Sequence, residues 1–221
     1  MRLTLFLALA AFASIANAGP IPIINSSFED PDIGGGSSTW GSITVPGWMD
    51  GPASPIGATI LHPSASAVIQ PHDGAQMVTF QVANAYGNIY IQQNTAATFE
   101  ANTTYTASVF LAATSSSGQT TGTIELVAND VVVASSQAIL DAYDGSSPRW
   151  TEHTVSLTTG IADAFLGDTL GIRLYRTPGH FSAHFDSVGL NAVSTNVPGP
   201  AGLGLVLIGC AGLLLGRMKR R

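Results

Sequence analysis

Between residues 20 and 193 the apolar positions come in short runs, and helical spacing is hard to find. Val, Ile, Thr and aromatic residues gather between clusters of Gly, Pro, Asn and Asp. The early runs are Ile21 to Ile24, Ile43 to Trp48, Ala67 to Gln70, Gln76 to Val82 and Asn88 to Gln93. The later ones are Thr103 to Ala112, Thr121 to Ala128, Val131 to Ser135, Trp150 to Leu157, Thr169 to Arg176 and Phe181 to Leu190. Runs of this length and composition predict strands. Asn129-Asp130, between two of them, predicts a hairpin turn. Roughly ten short strands punctuated in this way predict an all-β, antiparallel two-sheet sandwich. The Gly/Ser-rich stretch 31–41 and the polar stretch 114–120 read as loops, where recognition resides in such folds.

The two ends break this pattern. Arg2, an apolar run from Leu3 to Ile15 and then Ala16-Asn17-Ala18 form a secretory signal peptide pattern over residues 1–18, with cleavage expected after Ala18. The expected domain then occupies residues 19–193. Residues 194–200 form a linker that ends in Val197-Pro198-Gly199-Pro200, and residues 201–216 carry no charge. The basic tail 217–221, Arg217-Met218-Lys219-Arg220-Arg221, closes the chain. As a transmembrane helix the apolar segment spans roughly 24 Å, which snorkelling basic side chains can extend toward a hydrocarbon core of about 30 Å. The basic tail predicts a cytoplasmic C-terminus and an external domain.

This order of motif, apolar span and basic cluster resembles the PEP-CTERM sorting signal of Gram-negative bacteria that make extracellular polysaccharide. The resemblance implies recognition by exosortase, a membrane transpeptidase, and a final place at the cell surface or in the extracellular matrix. It covers residues 197–221, and the usual Pro-Glu-Pro reads Pro198-Gly199-Pro200 here. A plain single-span anchor is the alternative reading of the same residues.

Charge narrows the partners. Of eight basic residues only Arg149, Arg173 and Arg176 lie between the ends, against all 14 carboxylates of the chain. Such a field repels phosphates, excludes nucleic acid as a partner and favours cations or neutral ligands. The single cysteine, Cys210, sits in the apolar tail, so the domain has neither an internal disulfide nor a CxxC zinc site.

Three short motifs follow one another through the domain. Ile24-Asn25-Ser26-Ser27-Phe28-Glu29 opens it, Val45-Pro46-Gly47-Trp48 follows, and His184-Phe185-Asp186-Ser187-Val188 closes it. Pro71-His72-Asp73-Gly74, Tyr105 to Val109 and the Trp150 strand fall between them. The order N-x-x-F-E, P-G-W, F-D-x-V resembles jelly-roll domains of the carbohydrate-binding-module type, with a galactose-binding-like fold. In many such modules the terminal strands pair and their Glu and Asp meet at a buried calcium ion. The resemblance thus implies Glu29 and Asp186 as Ca²⁺ ligands, in accord with the preference of that ion for carboxylate and carbonyl oxygen. The alternative is that Glu29 caps a turn and Asp186 accepts backbone hydrogen bonds.

The same pattern looks like the calcium-dependent cyclases of cyanobacterial isonitrile indole alkaloids, which place an aromatic cavity between the sheets and use an Asp as proton donor. That resemblance implies Asp186 as the acid. Among the aromatics, Trp48 and Trp150 read as core, whereas Trp40 and Tyr86 lie in loop contexts and could stack a sugar ring beside the amides of Asn84, Asn88 and Gln92. His180, Ser182, His184 and Asp186 share one face of the last strand. Residues four apart on a strand put His180 and His184 roughly 13 Å apart, too far for one zinc ion. No GxSxG, HExxH, GxxxxGK or GxGxxG motif occurs. The sequence therefore favours an exported, non-enzymatic sandwich that binds polysaccharide, with a cyclase and a ligand-free structural matrix protein as rivals.

Overall fold

The computed structural model describes residues 18–35, 37–38, 45–51, 59–80, 89–113, 120–140, 150–176 and 183–195. These residues form twelve strands and no helix. In chain order they are β1 Ala18–Pro20, β2 Ser37–Ser38, β3 Met49–Asp50, β4 Thr59–His62, β5 Met77–Phe80 and β6 Ile89–Thr98. Then come β7 Thr103–Ala113, β8 Thr120–Ala128, β9 Val131–Leu140, β10 Thr151–Thr158, β11 Thr169–Arg176 and β12 Ala183–Ser194. One sheet runs β10-β7-β12-β5-β4-β2 with β1 also on β12; the other runs β3-β6-β11-β8-β9. Every pairing is antiparallel, so the two-sheet sandwich read from the strand pattern is the observed fold. No described helix is long and apolar enough to cross a membrane, and the signal-peptide residues 1–17, the sorting motif and residues 201–221 lie outside the described residues.

The core lies between the sheets because alternate residues of each strand point there. Tyr105, Ala107, Val109 and Leu111 of β7 face Ile124 and Leu126 of β8 and Ile172 and Leu174 of β11. Aromatic edges close the packing: Phe80 meets Phe185 at 5.2 Å, and Phe99 meets Tyr105 at 5.0 Å and Phe165 at 5.1 Å. The Asn129-Asp130 turn joins β8 to β9 with φ of 45° and 70°, the left-handed pair that a two-residue hairpin of this twist requires.

Three expected strands differ. Ile21 to Ile24 is not a strand: the Gln93 side chain takes the backbone of Ile24 at both ends, accepting from its N–H at 2.7 Å and donating to its carbonyl at 2.9 Å. Ala67 to Gln70 is irregular chain that follows a turn closed by the Ala67 N–H on the Ser64 carbonyl, and Gln70 Nε2 staples it by donating to the carbonyls of Ser64 and Ala67. Of Ile43 to Trp48, the described part is a turn in which the Trp48 N–H donates to the Val45 carbonyl at 2.9 Å. Pro46 and the positive φ of Gly47, 85°, suit it. The strand Thr59–His62 lies outside the expected runs, as do the shorter β1, β2 and β3; strands of two to four residues give too little alternation to read.

Candidate functional site

The opening and middle motifs lock into each other. Asn25 Nδ2 donates to the carbonyls of Asp30 at 2.7 Å and Pro46 at 3.4 Å, and Trp48 Nε1 donates to the Asn25 carbonyl at 3.3 Å. Trp48 is buried against Phe28, with ring centroids 5.5 Å apart. N-x-x-F-E and P-G-W therefore build a corner of the fold. That corner carries Glu29 to the loop Pro71 to Gln76.

Both candidate carboxylates end on that loop. Asp186 is fully buried, and its Oδ2 accepts the N–H groups of His72 at 2.8 Å and Asp73 at 3.0 Å. Its Oδ1 accepts the N–H of Ser187 at 2.6 Å. Glu29 Oε1 accepts the N–H groups of Ala75 at 3.0 Å and Gln76 at 2.9 Å. Gly74 between them has φ of 67°, and a Cβ there would meet Glu29 Oε1 at 2.4 Å. Gln76, itself buried, donates to the carbonyls of Phe28 and Pro31 and accepts from the Ile33 N–H. The first and last segments of the domain are thus clasped to one loop, and β1 pairs directly with β12.

Asp186 does not face the inter-sheet core. Ala183, Phe185, Val188 and Leu190 of β12 do, and the register shift between Asp186 and Gly189 leaves His184 and Asp186 on the opposite side. There they lie with the small cluster of Ile69, Met77 and Ala112, against which Leu61 and Trp150 pack. His72 stacks on Phe110 at 3.5 Å and its Nδ1 lies 2.9 Å from Ser187 Oγ. Burial pushes the Asp186 carboxyl up to about 7, assisted by the charge of Asp73, although three backbone N–H groups pull the other way. Burial alone pushes His184 down to about 4, which keeps it neutral. Among the described residues no group of three or more His, Cys, Asp or Glu side chains gathers to hold a metal.

The outer face of the five-stranded sheet is polar and aromatic. Tyr90, Tyr175 and Thr123 stand side by side on β6, β11 and β8, with Gln92, Arg173 and Glu125 in the adjoining row. The Arg173 guanidinium lies 4.2 Å from the Tyr90 ring centroid. Its Nε and one Nη donate to Gln92 Oε1 at 3.0 and 2.8 Å, and it also reaches the Asp130 carbonyl at 2.9 Å and Glu125 at 3.5 Å. Gln92 in turn donates to Asn94 and to the Asp130 carboxylate. The amides of Asn94 and Gln92 hold that carboxyl below its ordinary range, with Arg173 adding to the effect.

Of the residues read as a sugar platform, Trp40, Tyr86, Asn84 and Asn88 lie outside the described residues, as do His180 and Ser182. Gln92 is on the outer face just described. Trp150 is half-buried, its Nε1 donating to the Gln70 carbonyl at 2.9 Å.

A family model described as HpiC1-like, HpiC1 cyclase, matches residues 19–191. Among solved structures, the Stig cyclase Fisc from Fischerella sp. TAU, in complex with (3Z)-3-(1-methyl-2-pyrrolidinylidene)-3H-indole, superposes with a TM-score of 0.66 at 23% identity, covering 80% of this chain and 98% of that one. A cyclase from Fischerella sp. TAU in complex with 4-(1H-indol-3-yl)butan-2-one gives 0.67 at 22% identity, covering 81% and 100%. The CBM22-1 xylan-binding domain from Paenibacillus barcinonensis Xyn10C aligns more loosely, at 0.46 and 14% identity over 84% and 99%. No curated protein matches the chain.

Proposed function

The chain belongs to the HpiC1-like cyclase family, and within that family we propose that it is an exported carbohydrate-binding domain rather than a ring-forming enzyme. The observation that carries this reading is the outer face of the five-stranded sheet, where Tyr90 and Tyr175 stand beside the amides and hydroxyls of neighbouring strands. A sugar ring needs an aromatic face for its C–H groups and polar side chains for its hydroxyls. Trp40 and Tyr86, with Asn84 and Asn88, are proposed to extend that surface. Affinity electrophoresis of the purified protein through neutral polysaccharides tests the reading. Retardation that Tyr175→Ala abolishes with the fold intact supports it, and free migration in all of them rejects it in favour of a structural matrix role.

The cyclase reading keeps a specific observation of its own. Asp186 is buried with its carboxyl pushed up to about 7, so that near neutrality much of it is protonated and able to give up a proton. The protonated group would serve as the acid that starts ring closure of an isonitrile-indole precursor. Against this role, both carboxylate oxygens accept backbone N–H groups on the side of the sheet away from the core. Turnover of such a precursor, lost in Asp186→Asn, would promote the cyclase reading over the binding one.

Calcium is proposed at the same clasp. Glu29 and Asp186 are hard oxygen donors of the kind the ion takes, and Asp186 is a buried carboxyl beside the charge of Asp73. When bound, the ion would supply the counter-charge that ties both ends of the domain to one loop. The Val197-Pro198-Gly199-Pro200 motif is proposed as the exosortase recognition site. It would act with the apolar segment 201–216 to hold the protein in the membrane before release to the surface or matrix.

A further inference from the structure

β9 leaves one edge of the five-stranded sheet open. It is the last strand of that sheet, and among the described residues no strand pairs with its outer side. Natural sheets blunt such an edge with short strands, charge, proline or a bulge, because its unpaired N–H and C=O groups are a template for another strand. The other described edges follow that rule: β1, β2 and β3 have two or three residues each, and β10 carries Glu152 and His153. β9 does not. Its ten residues, Val131–Leu140, include no charge and no proline, and Val131, Val132 and Ile139 are 65%, 38% and 59% exposed.

The pattern along β9 specifies what covers that edge. Its one irregularity, at Val133, lies near its start; from Ala134, opposite Leu126, to Leu140, opposite Thr120, the ladder with β8 is unbroken. The middle of this regular stretch is Gln137. Laid antiparallel against itself about a twofold axis at Gln137, the stretch sets Leu140 opposite Ala134, Ile139 opposite Ser135 and Ala138 opposite Ser136. The two large residues each meet a small one, and every pair keeps both members on one face of the sheet. Ser135, Gln137 and Ile139 are exposed on the outer face, whereas Ala134, Ala138 and Leu140 pack toward the core. A strand that complements itself in this way selects a second copy over a foreign peptide. Charge points to the same contact. Between the chain ends three arginines stand against 14 carboxylates, so two copies repel each other over most of their surfaces. β9 holds none of those carboxylates, and Glu125, opposite Ser135 on β8, is tied to Arg173 at 3.5 Å.

We propose that β9 is the contact through which two copies of this chain associate, pairing antiparallel from Ala134 to Leu140 about a twofold axis. The two five-stranded sheets then run on as one of ten strands. The pairing does not depend on the carbohydrate reading, but it sets the two outer faces side by side, with the Tyr175 rings of the copies five strand spacings, about 24 Å, apart. Sedimentation of the full-length protein over a range of concentrations reads the association, and the wild type is expected to pass reversibly from monomer to dimer. Ile139→Lys should weaken the dimer by about tenfold or more and keep the wild-type Tm at dilution. Gln137→Cys, in a Cys210→Ser background, should give a disulfide-linked dimer under mild oxidation, because residues opposite each other on the axis bring their Cβ atoms within reach of that bond. Glu152→Cys, on the edge of the other sheet, should stay monomeric under the same oxidation. A wild type that is monomeric throughout overturns the proposal. So does a dimer that Ile139→Lys leaves intact, or one that Gln137→Cys cross-links no better than Glu152→Cys. Should Ile139→Lys fail to fold, the cross-link alone decides. None of these outcomes bears on sugar binding, which electrophoresis through polysaccharide reads separately.

Discussion

His184 and Asp186 sit two residues apart on one side of β12 and are pushed in opposite directions by the same burial. Asp186 rises from 3.8 to about 7, so the folded chain holds that proton more tightly than the unfolded one. Its contribution to stability is full below about pH 4 and is lost as pH rises through about 7. His184 falls from 6.5 to about 4, so its contribution is full above about pH 6.5 and is lost as pH falls through about 4. In calcium-free protein the two oppose each other in acid, and above about pH 6.5 only Asp186 acts. Melting temperatures should therefore change little between about pH 4.5 and 6.5 and fall toward about pH 8. In His184→Gln they should decline throughout that range, and a wild-type Tm that climbs above about pH 6.5 contradicts the assignment. Gly74→Ala should cost about 1–3 kcal/mol by denaturant unfolding, since it meets both a positive φ and the Glu29 carboxylate. Glu29 and Asp186 stand out in the sequence at the ends of two motifs. Their shared loop does not, because the groups they bind are backbone N–H groups that any residue supplies.

β8 and β9 form one hairpin with opposite demands on their side chains. Nearly all of β8 is buried, whereas β9 is an edge strand that exposes Val131, Val132 and Ile139. Leu126→Ala should cost about 2–5 kcal/mol, because the core around it closes only in part over the void. Ile139→Lys should change stability by no more than about 0.5 kcal/mol and reduce edge-to-edge association. Urea titrations of the two variants check both, and a large loss in Ile139→Lys would place a partner on that edge. Thr169–Arg176 appears with the bounds its pattern gives and the Asn129-Asp130 turn lies where the residues place it, whereas β6 and β9 run on to Thr98 and Leu140, five residues past their expected ends. What escaped were short stretches whose pairing is done by side chains. Gln93 holds Ile24, and Gln70 staples the irregular chain that reads as a strand from Ala67 to Gln70. A side-chain amide that replaces a ladder leaves no period to read.

At the scale of the molecule, the clasp of Glu29 and Asp186 on one loop and the pairing of β1 with β12 join the two ends of the domain. A calcium ion at the proposed site would add stability by mass action, about 2.7 kcal/mol at a hundredfold excess over its Kd. Chelation should lower Tm accordingly, Asp186→Asn should abolish the response, and a melt unchanged after verified metal removal would reject the site. On the proposed reading the family's sandwich binds neutral carbohydrate on the outer face of the five-stranded sheet. Stacking and neutral hydrogen bonds are insensitive to salt, whereas attraction to a charged ligand is screened within about 3 Å at about 1 M. The most direct measurement is the Kd of the purified protein for neutral polysaccharides at low salt and at about 1 M salt, with Tyr175→Ala and an isonitrile-indole precursor run alongside. Binding that persists in high salt, is lost in Tyr175→Ala and comes without turnover of the precursor is the predicted result; no binding at either salt, together with turnover, would contradict it.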